Sequence, residues 1–240
     1  SKLNQDTDAY NAFQNALRIK SNNPDAILGL GLLKLKKNKF NESIKEFNKV
    51  IELNKNFYQA YYNIALAQNF LGNSLEAINN YLVAIKINNK YFQAYNNLGS
   101  ILIKINQTDE GIKILKKAIE IKPDHLEALT NIGVAYLSKK KYLEALKFFN
   151  KAITINSSDV KAITQKLFLM RKICDWSEDN LLEHNLKLIN RSNIDVTPWQ
   201  LFSLDDSPER QLLCAKKYGS QFGFKSFKNF FQNSKIKIAY

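Results

Sequence analysis

Small and apolar residues return on a fixed beat as far as Met170. Ala26-Ile27, Ala60-Tyr61, Ala94-Tyr95, Ala128-Leu129 and Ala162-Ile163 follow one another at intervals of 34 residues. Within each interval the apolar positions fall three and four apart, the spacing of one face of a helix. They do so twice per interval. In the interval around Ala94, Tyr95, Leu98, Gly99 and Leu102 define a first helix, and Gly111, Leu115 and Ala118, followed by Pro123, define a second. The next has Leu129, Ile132, Gly133 and Tyr136, then Ala145, Phe149 and Ala152. The one before has Tyr61, Ile64 and Ala65, then Ala77, Tyr81 and Ala84. The first has Ile27, Leu30 and Gly31, then Ser43, Phe47 and Val50. Small residues such as Gly99, Gly111 and Ala118 let paired helices approach closely, while Tyr95, Leu98 and Leu115 fill the seam between them.

A helical hairpin repeated at this interval resembles the tetratricopeptide repeat (TPR). The expected fold is all-α, a TPR superhelix or α-solenoid over residues 1–173. It comprises a half repeat at 1–23, full repeats at 24–57, 58–91, 92–125 and 126–159, and a partial repeat at 160–173. Ala9, Phe13, Ala16 and Ile19 fit the second helix of an earlier unit. The chain therefore opens in mid-repeat. Met170 is its only Met, so a processed N-terminus or a piece of a longer protein is expected. One such hairpin cannot bury its apolar face alone, and stacked neighbours share a core.

The TPR resemblance places the first helix of each unit on a concave surface. Two residues before the packing Gly or Ala of that helix stand Asn63, Asn97 and Asn131, on the same beat. A carboxamide carries both donors and an acceptor. Such a ladder can hydrogen-bond the main chain of an extended peptide without reading its side chains, so protein or peptide clients are the expected partners. Gly29 and Gln165 occupy the same position in the first and last units, which leaves three rungs. Asn is also frequent at this position in TPRs generally, so ordinary repeat composition is the competing explanation.

Composition narrows the picture. Hydrophobic residues make up 45% of 240 residues, enough for a sizeable core, and 8 Gly with 4 Pro argue against a turn-rich all-β protein. No apolar run reaches the ~18 residues of a membrane span, and the start lacks a signal-peptide core, so no membrane partner and a cytoplasmic location are expected. Cys174 and Cys214 make no disulfide framework, no metal-ligand spacing occurs, and His125 and His184 are isolated in sequence. A net charge of +13 raises the question of nucleic acid. However, Lys34, Lys36, Lys37 and Lys39 fall at a helix end and turn, Lys139, Lys140 and Lys141 at the equivalent turn, and Lys113, Lys116 and Lys117 on an outer helix. No aromatic–basic interleaving accompanies them, so no nucleic acid is expected. The outer face of a TPR array can support a homo-oligomer, but no residue in the sequence marks one.

The beat stops at Cys174-Asp175-Trp176. Leu181, Leu182, Leu186 and Ile189 still have helical spacing but are out of phase with the repeat. Pro198 follows, then LFSLDDSPERQLLCAKKY, in which Ser207 suits an N-cap, Pro208 the first helical position and Glu209 the first turn. This sequence resembles the junction of the O-GlcNAc transferase and SPINDLY-type protein glycosyltransferase family, in which a TPR superhelix leads into a two-lobed catalytic region. By this resemblance residues 174–233 form a helical junction with Trp176 as a packing residue. Residues 234–240, SKIKIAY, resemble the first strand of the catalytic domain. The resemblance implies transfer of N-acetylglucosamine, or fucose, from a nucleotide sugar to Ser or Thr of proteins. The donor UDP-GlcNAc would be a substrate of the parent enzyme; this chain carries no cofactor and no catalytic residue. Asn63, Asn97 and Asn131 match the family's docking motif. The other reading is a free-standing TPR adaptor without chemistry of its own.

Overall fold

The structure, a computed structural model, describes residues 2–173, with side chains from residue 6 onward. The expected junction at 174–233, with Cys174, Trp176, His184 and Cys214, and the expected strand at 234–240 lie outside the described residues.

Ten α-helices occur among the described residues. They are α1 (Lys2–Ile19), α2 (Pro24–Lys36), α3 (Phe40–Leu53), α4 (Tyr58–Phe70), α5 (Ser74–Ile87), α6 (Phe92–Lys104), α7 (Thr108–Ile121), α8 (Leu126–Ser138), α9 (Tyr142–Ile155) and α10 (Val160–Lys172). From α2 onward the starts of the first helices keep the interval of the sequence repeat, as do the starts of the second helices. The all-helical, repeat-built reading is what the described residues adopt.

The first compact unit is residues 1–131. Within it α2 pairs with α3, α4 with α5 and α6 with α7, and α3 also packs on α4 and α5 on α6, each the first helix of the following repeat. The hairpin core is one contact repeated. Gly31 lies against Phe47, and Gly99 against Leu115, so closely that an added Cβ would stand 2.4 Å and 2.6 Å from those side chains. Ala65 and Tyr81 hold the same two positions in the repeat between. Phe47, Tyr81 and Leu115 are fully buried, each stabilising its hairpin by roughly 2–3 kcal/mol. In the third repeat Gly111 faces Gly99 as well, with backbone close enough that either Cβ would meet the other's carbonyl oxygen below 3 Å. The second unit begins at Ile132, inside α8. It repeats the motif with Gly133 against Phe149, and buries Ala145, Phe149 and Leu169 together.

The turn inside each hairpin is built identically. Asn38, Gly72, Asn106 and Lys140 have φ of 58°, 85°, 67° and 59°, in the left-handed region. The N–H of each of these residues donates to the carbonyl three residues back. The next N–H donates five back, from Lys39 to Lys34, Asn73 to Gln68, Gln107 to Leu102 and Lys141 to Tyr136. This is the Schellman pattern, which satisfies the last carbonyls of a helix. The residue that closes it is also the N-cap of the next helix. Between repeats, Asn54, Asn88 and Asn156 accept a hydrogen bond from the N–H two residues on. Lys122 stands at that position in the third repeat and is followed by Pro123, whose ring constrains the turn instead.

Candidate functional site

The first helices carry the three asparagines singled out by the repeat spacing, and the structure gives them unequal surroundings. Asn131 Nδ2 donates to Asn96 Oδ1 at 3.2 Å and to Ser100 Oγ at 3.0 Å. Asn97 Nδ2 donates to the Tyr62 hydroxyl at 3.1 Å, and Asn97 Oδ1 accepts from Asn96 Nδ2 at 3.2 Å. These bonds join Tyr62 of α4, Asn96, Asn97 and Ser100 of α6, and Asn131 of α8 into one network across three successive first helices. Asn63 is not part of it. Its Nδ2 donates to Gln59 O of its own helix at 2.7 Å.

The difference follows from the repeat. The cross-repeat partners of Asn97 and Asn131 all stand on the first helix of the preceding unit. For Asn63 the corresponding positions hold Leu28 and Leu32, which offer neither donor nor acceptor. Its amide therefore turns back on the local backbone. Asn96, almost fully buried, is the hub. It was not apparent from the spacing of the ladder, because the same position holds Leu28, Tyr62 and Thr130 in the other units. A search for polar residues one repeat and one position before each Asn would have found it.

Aromatic rings line the same stretch. Tyr62 meets Tyr91 edge-on with centroids 4.9 Å apart, Tyr91 meets Tyr58 likewise at 4.9 Å, and Tyr62 lies 5.7 Å from Tyr81. Burial pushes the Tyr62 hydroxyl above its ordinary pKa; the hydrogen bond from Asn97 opposes the shift and the Glu127 carboxylate adds to it. Burial also drives Tyr81 and Tyr91 well above the ordinary tyrosine value. The Asn97 carboxamide beside Tyr81 opposes that rise, but the Tyr81 hydroxyl has no well-formed hydrogen bond among the described residues. The raised phenols of Tyr62, Tyr81 and Tyr91 stay neutral at physiological pH. The surface joins uncharged hydroxyls and carboxamides to aromatic rings, an arrangement that can present hydrogen bonds to a polar main chain and ring edges to its side chains.

His125, which carries no recognisable motif, has a local task. Its Nδ1 accepts from Ala128 N–H at 3.2 Å and so caps α8. Its ring packs edge-on against Phe92 at 4.9 Å, and Lys122 Nζ lies 4.9 Å from the centre of that same Phe92 ring. Asn23 and Asp159 cap α2 and α10 from the equivalent position, whereas Phe57 and Tyr91 make no side-chain cap. Among the described residues no cluster of His, Cys, Asp or Glu could hold a metal ion, and no helix is long and apolar enough to cross a membrane.

Comparison with known proteins agrees with this geometry. Residues 24–57 and 58–91 each match the tetratricopeptide repeat, and residues 90–158 match a longer tetratricopeptide repeat pattern. A crystal structure of MamA is 30% identical with a TM-score of 0.56, over 63% of this chain and 89% of that one. PilF of Pseudomonas aeruginosa is similar with a TM-score of 0.69 at 19% identity, covering 88% of this chain and 93% of its own. YrrB, a TPR protein with an unusual peptide-binding site, is similar with a TM-score of 0.59 at 16% identity, over 85% and 98%. At these last two identities the likeness is one of fold alone. No curated protein sequence matches the chain. The chain belongs to the tetratricopeptide-repeat family, whose repeats point to protein–protein interaction or peptide binding.

Proposed function

We propose that the chain docks extended peptide segments of client proteins along its first helices through their main chain. The observation that carries this reading is the pair of half-buried carboxamides Asn97 and Asn131, joined through buried Asn96 and edged by Tyr62 and Ser100. Asn97 and Asn131 are its centre. Asn63, turned into its own helix, contributes after its amide swings from the Gln59 carbonyl to a ligand. Rungs at a repeat spacing suit a ligand that presents regularly spaced amides, and neutral rungs do not demand a charged client.

The test is fluorescence anisotropy with a labelled library of extended peptides and their backbone N-methylated counterparts. N-methylation removes main-chain donors while leaving the side chains in place. Each lost hydrogen bond is worth about 1 kcal/mol, or about fivefold in affinity. Equal binding of methylated and unmethylated peptides would remove the main-chain reading. Asn97→Ala and Asn131→Ala should weaken binding by a similar factor per bond with helix content unchanged.

The peptide-docking role fits two settings. In one, the chain is the substrate-docking arm of a protein O-glycosyltransferase that uses UDP-GlcNAc, supported by the resemblance of residues 174–240 to that family's junction and first catalytic strand. In the other it is a free-standing adaptor, supported by its likeness to TPR proteins over most of their own length. Reading the coding sequence past Tyr240 separates them. A Ser-Asp-Phe…His-Pro segment followed by a second lobe supports the enzyme, and a stop codon supports the adaptor.

A further inference from the structure

Tyr81 carries a polar atom that the packing around it does not use. At one constant separation before Asn63, Asn97 and Asn131 stand Phe47, Tyr81 and Leu115, each the large buried residue of its hairpin core. Phe47 and Leu115 fill that place with hydrocarbon alone. Tyr81 adds a hydroxyl, and the whole side chain is buried. Its oxygen has no hydrogen-bond partner among the described residues. A buried hydroxyl without a partner loses its hydration and gains no bond in exchange, so it destabilises the fold that holds it. Phenylalanine would fill the same place without that penalty.

The position of the hydroxyl gives it a use. The Asn97 carboxamide lies beside it, and the Tyr62 ring centre is 5.7 Å from that of Tyr81. Asn97 thus stands next to two phenols, one on α4 and one on α5. Its Nδ2 donates to the Tyr62 hydroxyl at 3.1 Å, while its Oδ1 accepts from Asn96. Tyr62 is half-buried, whereas Tyr81 is closed to solvent. A phenol oxygen can both donate and accept. While Tyr62 accepts from Asn97, its acceptor is spent inside the protein. A peptide main chain brings both an N–H and a C=O, so engaging Tyr62 fully requires Asn97 to let go. The released N–H then needs another acceptor, and the unpaired Tyr81 oxygen stands beside it.

We propose that Tyr81 is a positioning residue for peptide docking: its buried hydroxyl takes over the Asn97 N–H when a peptide main chain engages Tyr62. The inference rests on the main-chain docking reading above. The exchange keeps the protein's own hydrogen bonds equal in number, with one to Tyr62 given up and one to Tyr81 formed. The bonds between Tyr62 and the peptide are then a net addition. Tyr81 itself touches no ligand. Asn63 and Asn131 have Phe47 and Leu115 at the equivalent place, which offer no acceptor, so of these three rungs only Asn97 exchanges partners in this way.

The test uses the full chain with Tyr81→Phe, Tyr62→Phe or both, measured by thermal unfolding and by anisotropy with the labelled extended peptides of the docking test. Tyr81→Phe alone should leave the unfolding midpoint unchanged or raise it, because it removes an unpaired hydroxyl. It should also weaken peptide binding about fivefold, the worth of one hydrogen bond. A residue that only packs would not lower affinity while sparing stability. With Tyr62→Phe already present, Tyr81 is the one phenol oxygen left to Asn97. There the further change Tyr81→Phe should lower the midpoint by about 2–4 °C and leave peptide affinity unchanged. This reversal in the midpoint needs no ligand. A lower midpoint for Tyr81→Phe alone overturns the proposal, because the hydroxyl would then already be bonded in the free protein. A midpoint that does not fall in the Tyr62→Phe background overturns it too, as does undiminished peptide affinity of Tyr81→Phe. A wild-type chain that binds none of the peptides overturns the docking reading and the ligand-driven step with it, while the midpoint reversal would still show the exchange between the two phenols.

Discussion

Lys140 occupies a backbone conformation that glycine would hold without strain, and replacing it should stabilise the protein. Four hairpin turns share one left-handed residue, filled by Asn38, Gly72, Asn106 and Lys140. For most L-residues that conformation costs about 1–2 kcal/mol, because Cβ crowds the following carbonyl, while Asn tolerates it better and Gly adopts it freely. The Lys140 side chain is exposed, so little packing is lost with it. Against the gain stands the larger conformational freedom of glycine in the unfolded chain, worth roughly 0.5–1 kcal/mol. The net expectation for Lys140→Gly is a stabilisation of about 0.5–1 kcal/mol, with Lys140→Asn about half of that. Gly72→Ala is the mirror experiment. Nothing lies within 4 Å of where its Cβ would stand, so only backbone strain acts there, and it should destabilise by a similar amount. For a chain of this size the midpoint shifts by about 2–4 °C per kcal/mol, within reach of thermal unfolding followed by circular dichroism and of urea titration. A lower midpoint for Lys140→Gly, or shifts of the same sign for the two variants, would refute the strain argument.

Other consequences can be measured with the same assays. Gly99→Ala should destabilise by about 1–3 kcal/mol, because its Cβ would meet the Gly111 carbonyl at 2.9 Å, and backbone cannot step aside as a side-chain tip can. Asn131→Ala should cost about 1–2 kcal/mol, since it removes two bonds to the preceding repeat and leaves buried Asn96 short of a donor; Asn63→Ala should cost less, because it loses one local bond. Burial holds the His125 pKa below its ordinary 6.5; Lys122 acts in the same direction, and Glu127 and Asp124 oppose them. The folded value lies below the unfolded one, so the contribution of His125 to stability is complete above the ordinary 6.5 and is lost as pH falls through the folded pKa. His125→Asn keeps a cap acceptor that does not titrate, so its stability should fall less than that of the wild type between about pH 7 and pH 5.

The repeat was legible because its signal is packing chemistry repeated at a constant interval. Each hairpin needs a small residue opposite a large one. Gly31–Phe47, Gly99–Leu115 and Gly133–Phe149 record that need at one constant separation, whatever residues make the turn between them. The candidate face was legible only in part. The spacing of Asn63, Asn97 and Asn131 identified a common position, but a hydrogen bond requires two partners, and the second stands on a different repeat. Leu28 and Leu32 deny Asn63 what Tyr62 gives Asn97 and Asn96 gives Asn131. His125 was invisible for a related reason. Its role as a cap depends on where a helix begins to within one residue, and periodicity locates helix ends less sharply than helix faces.

The doubled role of Lys39, Asn73, Gln107 and Lys141 governs how such a chain can change length. Each of these residues ends one helix and begins the next, and the residue before it is held in the left-handed conformation. No residue in the turn is a spacer. An insertion or deletion of a single residue there would break the helix-ending hydrogen bonds and rotate the following helix by about 100°, turning its core residues toward water. The hairpin is therefore indivisible under small insertions and deletions, and the array grows or shrinks most readily by whole hairpins. A lineage of this protein should vary in its number of hairpins far more readily than in the length of any one of them.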